Sequence, residues 1–315
     1  MIRLAVRVRR AQAELVLAEL LALVPAGVEE TPVGEDCIEF AVYGAPGELP
    51  DLPDLTAAAG DALVEISTSE TADDWQERWK QFHRPVLIRA PAYGSIGPTV
   101  PALHVRPPWE RARQVPSTGE PIEEIEEIVI DPGQAFGTGA HATTRLCLQM
   151  LLELAAAGER GPLLDIGTGS GVLAIAAARL GFAPVLGIDH DRLSIDAARE
   201  NAAVNATQLE LRRVDLRSET LPWLGWADAP SGALVVTANL LRPLLLELAE
   251  TAAGAPAHLL ASGLLCEQVD EVALAFARRL GMRERTRRSD GEWAAVWLIA
   301  GDAPASAHGG GTAAS

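Results

Sequence analysis

Apolar and polar residues alternate over residues 2–8, a period of two that puts every second side chain on one face and predicts a β-strand. Residues 11–23 repeat apolar positions at helical spacing, and residues 37–43 and 63–67 return to the strand pattern. With a short strand near Val28 and a weak helix over residues 55–62, the order is β-α-β-β-α-β. That is the ferredoxin-like arrangement, expected for a front domain of residues 1–68. Such a unit hosts many unrelated functions, so the pattern alone specifies no activity.

Residues 69–130 read as a linker region. A short helix is predicted over 71–82, then eight prolines from Pro85 to Pro121 punctuate strand-like pieces at 86–89 and 103–106. The acidic run 120–127 leads into an apolar strand at 128–130 and reads as a solvated strand edge. From residue 131 to 300 the pattern is regular. Buried-strand runs at 163–166, 185–188, 234–237 and 259–261 alternate with helical stretches at 171–180, 192–205, 241–253 and 267–280. Strand and helix in turn predict parallel strands with crossover helices, a doubly wound, Rossmann-like α/β sheet. Runs at 282–288 and 293–299 are separated by Asp290-Gly291, a hairpin signal, so the sheet is expected to end in an antiparallel pair. Residues 301–315, rich in Gly, Ala and Ser, read as a disordered tail.

Composition narrows the function. With 48% hydrophobic and 22% charged residues the chain reads as globular, and a net charge of −17 argues against a protein that grips nucleic-acid phosphates with a basic face. Cys37, Cys147 and Cys266 stand far apart with no CxxC or Cys/His ligand spacing, so neither a disulfide framework nor a metal site is expected. The first residues alternate arginine with apolar side chains and do not form a signal peptide, and no segment reaches the ~20 apolar residues of a membrane span. A cytoplasmic monomer is expected.

The chemistry is carried by Asp165-Ile166-Gly167-Thr168-Gly169-Ser170-Gly171, three glycines between a buried strand and a helix. There the backbone must turn tightly and a ligand can approach without meeting Cβ atoms. The G-x-G-x-G spacing is one residue shorter than the dinucleotide fingerprint, which disfavours NAD. Asp189 closes the next strand, the place where a carboxylate accepts hydrogen bonds from ribose hydroxyls. Asp165 reads both as a cap for the turn and as a charge near a cationic cofactor. No GxxxxGK[ST] phosphate loop occurs. Upstream, Phe136-Gly137-Thr138-Gly139-Ala140-His141-Ala142-Thr143-Thr144 precedes a helix predicted over 145–154, which Thr143 or Thr144 can cap. The free N–H groups of its first turn suit a carboxylate.

This constellation resembles the class I S-adenosylmethionine-dependent methyltransferases, whose first motif is an acidic residue followed by G-x-G-x-G. More narrowly, the 136–144 segment looks like the F-G-T-G-x-H-x-T-T signature of the PrmA family, which methylates protein eleven of the large ribosomal subunit. Trp75-Gln76-Glu77-Arg78-Trp79-Lys80-Gln81-Phe82 resembles that family's W-x-x-x-W-K-x-F linker motif, and Ala238-Asn239-Leu240-Leu241 its A-N-I-L motif. The resemblance implies S-adenosyl-L-methionine as cofactor, with Thr144, Asp165, Gly167, Gly169, Gly171, Asp189 and Asn239 in its site. It implies that the loop 136–141 folds over the methionine end, and that Asn239 also orients the incoming amine. Asn239 has a second reading, as N-cap of the helix 241–253, and Asp215 could face the adenine or serve a turn. Trp75 and Trp79, one turn apart, read as packing between domains. The implied reaction is transfer of methyl groups to lysine and N-terminal amines of that ribosomal protein. Two departures, Ala142 where proline is common and a shortened Asn239-Leu240-Leu241-Arg242-Pro243, leave open a non-ribosomal protein substrate. A module that only binds the cofactor or docks to the ribosome is the reading from another class.

Overall fold

The protein is described from a computed structural model over residues 2–23, 28–34, 36–44, 49, 56, 59–70, 83–90, 100–112, 124–132, 139–216 and 234–301. The helix expected over 71–82 with Trp75 and Trp79, the segment 133–138 and the tail from residue 302 lie outside the described residues.

The front of the chain runs β1 (Ile2–Arg9), α1 (Ala13–Leu23), β2 (Glu29–Val33), β3 (Cys37–Gly44) and β4 (Leu63–Glu70). They form a four-stranded sheet in the order β2-β3-β1-β4 with every neighbour antiparallel. The alternation in β1 has a direct consequence for packing. Leu4, Val6 and Val8 are buried with Phe40 of β3 and with Val16 and Leu20 of α1. The intervening Arg3 and Arg7 pair with Glu39, at 2.7 and 2.9 Å, and Arg7 also reaches Glu65.

A second, three-stranded sheet holds β5 (Val86–Ile88), β6 (Ala102–Arg106) and β7 (Ile125–Val129), with β5 antiparallel and β7 parallel to β6. Of the acidic run expected as a solvated strand edge, residues 120–123 lie outside the described residues and Glu124 is exposed, but the expectation is corrected at the end of the run. Glu126 and Glu127 lie inside β7, and they are ion-paired, Glu126 with Arg179 and Glu127 with both His104 and Arg106. Opposite charges on neighbouring elements draw these carboxylates into contact.

The remaining elements are α2 (Ala142–Ala156), β8 (Leu163–Ile166), α3 (Val172–Arg179), β9 (Val185–Asp189), α4 (Arg192–Val204), β10 (Glu210–Arg213) and β11 (Val235–Asn239). They continue with α5 (Arg242–Thr251), β12 (His258–Leu265), α6 (Val269–Leu280), β13 (Met282–Asp290) and β14 (Trp293–Ala300). The sheet order is β10-β9-β8-β11-β12-β14-β13. Strands β8 to β12 pair in parallel, and β14 pairs antiparallel with both β12 and β13.

The chain builds outward from β8 through β9 to β10, then returns to lay β11 on β8's other side. The order therefore reverses between β8 and β11, where open α/β sheets bind ligands beyond the carboxyl ends of their strands. Successive strand residues feed opposite faces, as Leu163 and Leu164 show by entering separate cores. One core holds α2 and α3 together with Ile88, Leu103, Val105 and Ile128 of the small sheet, so it runs continuously across residue 131. The other holds α5 and α6.

Helix α6 shows why these segments are helical. Val269, Val272 and Phe276 share its buried face, while Asp270 and Glu271 in the first turn and Arg278 and Arg279 in the last complement the helix dipole. Gly281 closes it in the left-handed conformation.

Candidate active site

Three strands deliver the site residues to one edge of the sheet. β8 ends in the glycine turn, where Gly167, Gly169 and Gly171 all have positive φ, at 69°, 52° and 81°. A Cβ on Gly167 would stand 2.5 Å from Cδ2 of Leu240, and one on Gly171 would stand 3.1 Å from Cβ of Ala198. The first glycine thus makes room for the loop after β11, and the third lets α3 start against α4.

Asp165 lies beneath this turn and is buried. Its carboxylate accepts hydrogen bonds from Oγ1 of Thr237 at 2.6 Å and of Thr168 at 2.7 Å, tying the turn to β11. Burial pushes its carboxyl up to about 6, against the opposing pull of these hydroxyls. At β9, Gly187 leaves the space that Thr168 fills, since a Cβ there would be 2.9 Å from Thr168 Oγ1.

Asp189, the last residue of β9, reaches back to the turn. Its Oδ2 accepts from the Gly169 amide and its Oδ1 from the Asp191 amide, each at 3.0 Å. A carboxylate offers about four acceptor positions, so the two backbone donors and Nδ1 of His190, 3.3 Å from Oδ1, leave room for a further hydroxyl donor. The neighbouring His190 ring has its pKa raised, chiefly by a hydrogen bond to Asp189. Asp215 is exposed just after β10.

The third contribution joins residues far apart in the chain. Asn239 ends β11, and its Nδ2 donates to Oγ1 of Thr144, 3.4 Å away in the first turn of α2. It is not the N-cap of the following helix, a place held by Leu241.

The expected capping of α2 by Thr143 or Thr144 is corrected. The helix starts at Ala142, so both threonines fall inside its first turn and are buried, and His141 is the N-cap. Its Nδ1 accepts from the Thr143 amide at 3.4 Å, and its ring meets Trp293 edge-on at 5.0 Å. Burial and the nearby Arg145 lower the His141 pKa, favouring the neutral ring that can accept. Arg145 in turn pairs with Asp290 in the β13–β14 hairpin.

Residues that sequence reasoning missed are those holding the site from behind. Thr168 and Thr237 bind Asp165, and Ser262 donates to the Thr143 carbonyl at 3.1 Å. Gly263, at φ 86°, lets β12 approach the backbone of Leu240, whose carbonyl oxygen would be 2.4 Å from a Cβ there. A signal existed for Thr237, a hydroxyl inside an otherwise apolar strand run. Among the described residues no cluster of three metal-ligating side chains occurs, and no helix is long and apolar enough to cross a membrane.

The glycine turn, Asp189, Asn239 and Thr144 therefore converge at the switch point. The family model for ribosomal protein L11 methyltransferase (PrmA) matches residues 53–299. The chain belongs to this family. Its similarity to a ribosomal protein L11 methyltransferase of Geobacter metallireducens is 38% identity over 250 residues, 78% of this chain and 73% of that protein. To one of Symbiobacterium thermophilum it is 36% over 228 residues, 71% of this chain and 65% of that protein. A crystal structure of a ribosomal protein L11 methylase from Lactobacillus delbrueckii subsp. bulgaricus is 28% identical, covers 63% of this chain and 94% of that one, and has a TM-score of 0.49. The glycine turn, Asp189, Asn239 and Thr144 all lie within the segment that matches the PrmA model.

Proposed function

We propose that this PrmA-family chain transfers methyl groups from S-adenosyl-L-methionine to lysine side-chain and N-terminal amines of ribosomal protein L11. The observation that carries this reading is the Asn239–Thr144 contact. It brings two family-motif residues 95 positions apart to the carboxyl edge of β11, beside the glycine turn.

The donor set fits the cofactor. Asp189 offers a carboxylate to ribose hydroxyls, Gly167 and Gly169 give backbone without Cβ atoms, and the group has no phosphate that would require a lysine or arginine here. When bound, the cofactor supplies a methyl group activated on a sulfonium sulfur.

The residues of the chain do the rest. Asp165 holds the turn from below and adds negative charge behind it. Thr144 lies in the first turn of α2, at the positive end of the helix dipole, which suits a carboxylate. Asn239 keeps its Nδ2 on Thr144, and its Oδ1 accepts an N–H of the incoming amine and aligns the nitrogen. That amine must be neutral to attack, and an ordinary lysine has a pKa of about 10.4, so a desolvating cleft has to lower it. Positioning then supplies the rate, with no covalent intermediate on the protein.

The same reading assigns the front sheet, as a ferredoxin-like unit of residues 1–68, to substrate recognition. It gives residues 131–300 to methyl transfer by a monomer in the cytoplasm. Incubation of the purified protein with labelled cofactor and ribosomal protein L11, followed by intact-mass measurement, tests it. L11 gaining mass in methyl steps is the expected result, and label on another protein, or on none, overturns the substrate assignment.

A further inference from the structure

Strand β7 stands at the edge of the three-stranded sheet, yet the outer backbone groups of its last residue, Val129, are paired by a side chain and not by another strand. One side of the segment is taken by β6, as the Ile130 amide donates to the Arg106 carbonyl at 2.9 Å. On the other side Asn205 both accepts from the Val129 amide at 2.8 Å and donates to the Val129 carbonyl at 2.7 Å. One helical turn earlier, Asn201 accepts from the Asp131 amide at 2.9 Å.

The spacing explains why this works. Four residues of helix rise about 6 Å, and two residues of strand rise about 6.6 Å. Asn201 in α4 and Asn205, its C-cap, four residues apart, can therefore meet backbone groups at i and i+2 along β7 and its extension, and the Asn205 amide imitates a strand's peptide group.

The two asparagines differ in what their other contacts reach. Asn205 Nδ2 turns back to the Asn201 carbonyl in its own helix. Asn201 Nδ2 donates to the Ser170 carbonyl at 2.9 Å, inside the glycine turn, and Asn201 is only 3% exposed. A single buried amide thus bridges Asp131, where the chain leaves the small sheet toward His141 and Thr144, and Ser170, between the turn's second and third glycines.

We propose that Asn201 is a positioning residue for the cofactor site, fixing the glycine turn against the segment that leads to α2, while Asn205 serves only to dock the small sheet. The inference rests on the cofactor reading above, and it assigns a role in cofactor affinity to a residue outside every motif of that reading. Asn201→Asp keeps the shape and the acceptor toward Asp131 but loses the donor, and it sets a carboxylate oxygen against the Ser170 carbonyl. Asn205→Ala removes bonds of the same kind one turn along without touching the turn.

The test is the Kd for S-adenosylhomocysteine, measured by calorimetry on the full chain, together with the Tm of each variant. Asn201→Asp is expected to raise the Kd about tenfold, and Asn205→Ala to leave it within about twofold while lowering Tm at least as much. In turnover, Asn201→Asp should raise KM for the cofactor with kcat little changed. Should Asn201→Asp fail to fold, Asn201→Ser is measured in its place, with the same direction expected. Equal effects of the two positions on Kd, or no effect of either, overturn the proposal. Wild-type protein that binds no S-adenosylhomocysteine overturns the cofactor reading itself, and the role of Asn201 with it.

Discussion

Nδ2 of Asn239 lies 3.4 Å from Oγ1 of Thr144, joining the end of β11 to the first turn of α2. The threonine is fully buried, so this long hydrogen bond sets which way the amide turns. Thr144→Val keeps the shape and removes the hydroxyl. We expect kcat/KM for methyl transfer to fall about tenfold, the size of one hydrogen bond, with Tm changed little. Unchanged kinetics in this variant would show that the contact orients nothing.

Asp165 gives a pH signature. Its carboxyl is raised from 3.8 to about 6 by burial. Between those values the folded protein binds more protons than the unfolded chain, so this group makes stability fall as pH rises through that window. Asp165→Asn removes the titration. Urea unfolding across the window should show wild type losing stability relative to the variant as pH climbs from about 4 to 6, with a constant offset above. An offset that does not vary with pH contradicts the assignment.

Gly263 and Gly34 form a matched pair. Both have positive φ, but a Cβ on Gly34 meets nothing, whereas one on Gly263 meets the Leu240 carbonyl oxygen at 2.4 Å. Gly34→Ala should cost about 1–2 kcal/mol of backbone strain. Gly263→Ala should cost a further ~1–3 kcal/mol and, by displacing the backbone next to Asn239, reduce transfer as well. Denaturant unfolding of the two variants side by side decides it, and equal losses would mean that the close approach is easily relieved.

His141 caps α2 and rests against Trp293. Removing it in His141→Ala should lower stability by about 1–2 kcal/mol. Because its pKa is lowered, the imidazole is neutral at pH 7, and the loss should be the same at pH 7 and pH 8. A loss that grows between those values would mean that the ring still carries a proton at pH 7 and caps the helix only on losing it.

Much of the parallel sheet was legible because its strands are buried on both faces and read as unbroken apolar runs. The β8 run at Leu163–Ile166 is placed to the residue, and Asp189 stands at its strand end. The glycine turn was legible for the same reason, since glycines between a buried strand and a helix have few other uses.

What was not legible depends on contacts distant in sequence. The register that sets Thr237 beside Asp165 follows from β11 lying next to β8, which nothing in either segment encodes. β7 was misread because Glu126 and Glu127 look like solvent-facing charge until Arg179, His104 and Arg106 are placed beside them. The cap of α2 is hidden in the sequence because hydroxyl residues are the usual caps, whereas here the partly buried His141 accepts from the Thr143 amide.

In the proposed function Asn239 orients the amine and does not hold the cofactor in place by itself. The most direct test is Asn239→Ala, assayed for methyl transfer to ribosomal protein L11 and for S-adenosylhomocysteine binding. Transfer should fall by about 100-fold or more, the cost of a misplaced nucleophile, while the Kd shifts by less than about fivefold. Transfer at the wild-type rate would contradict the account.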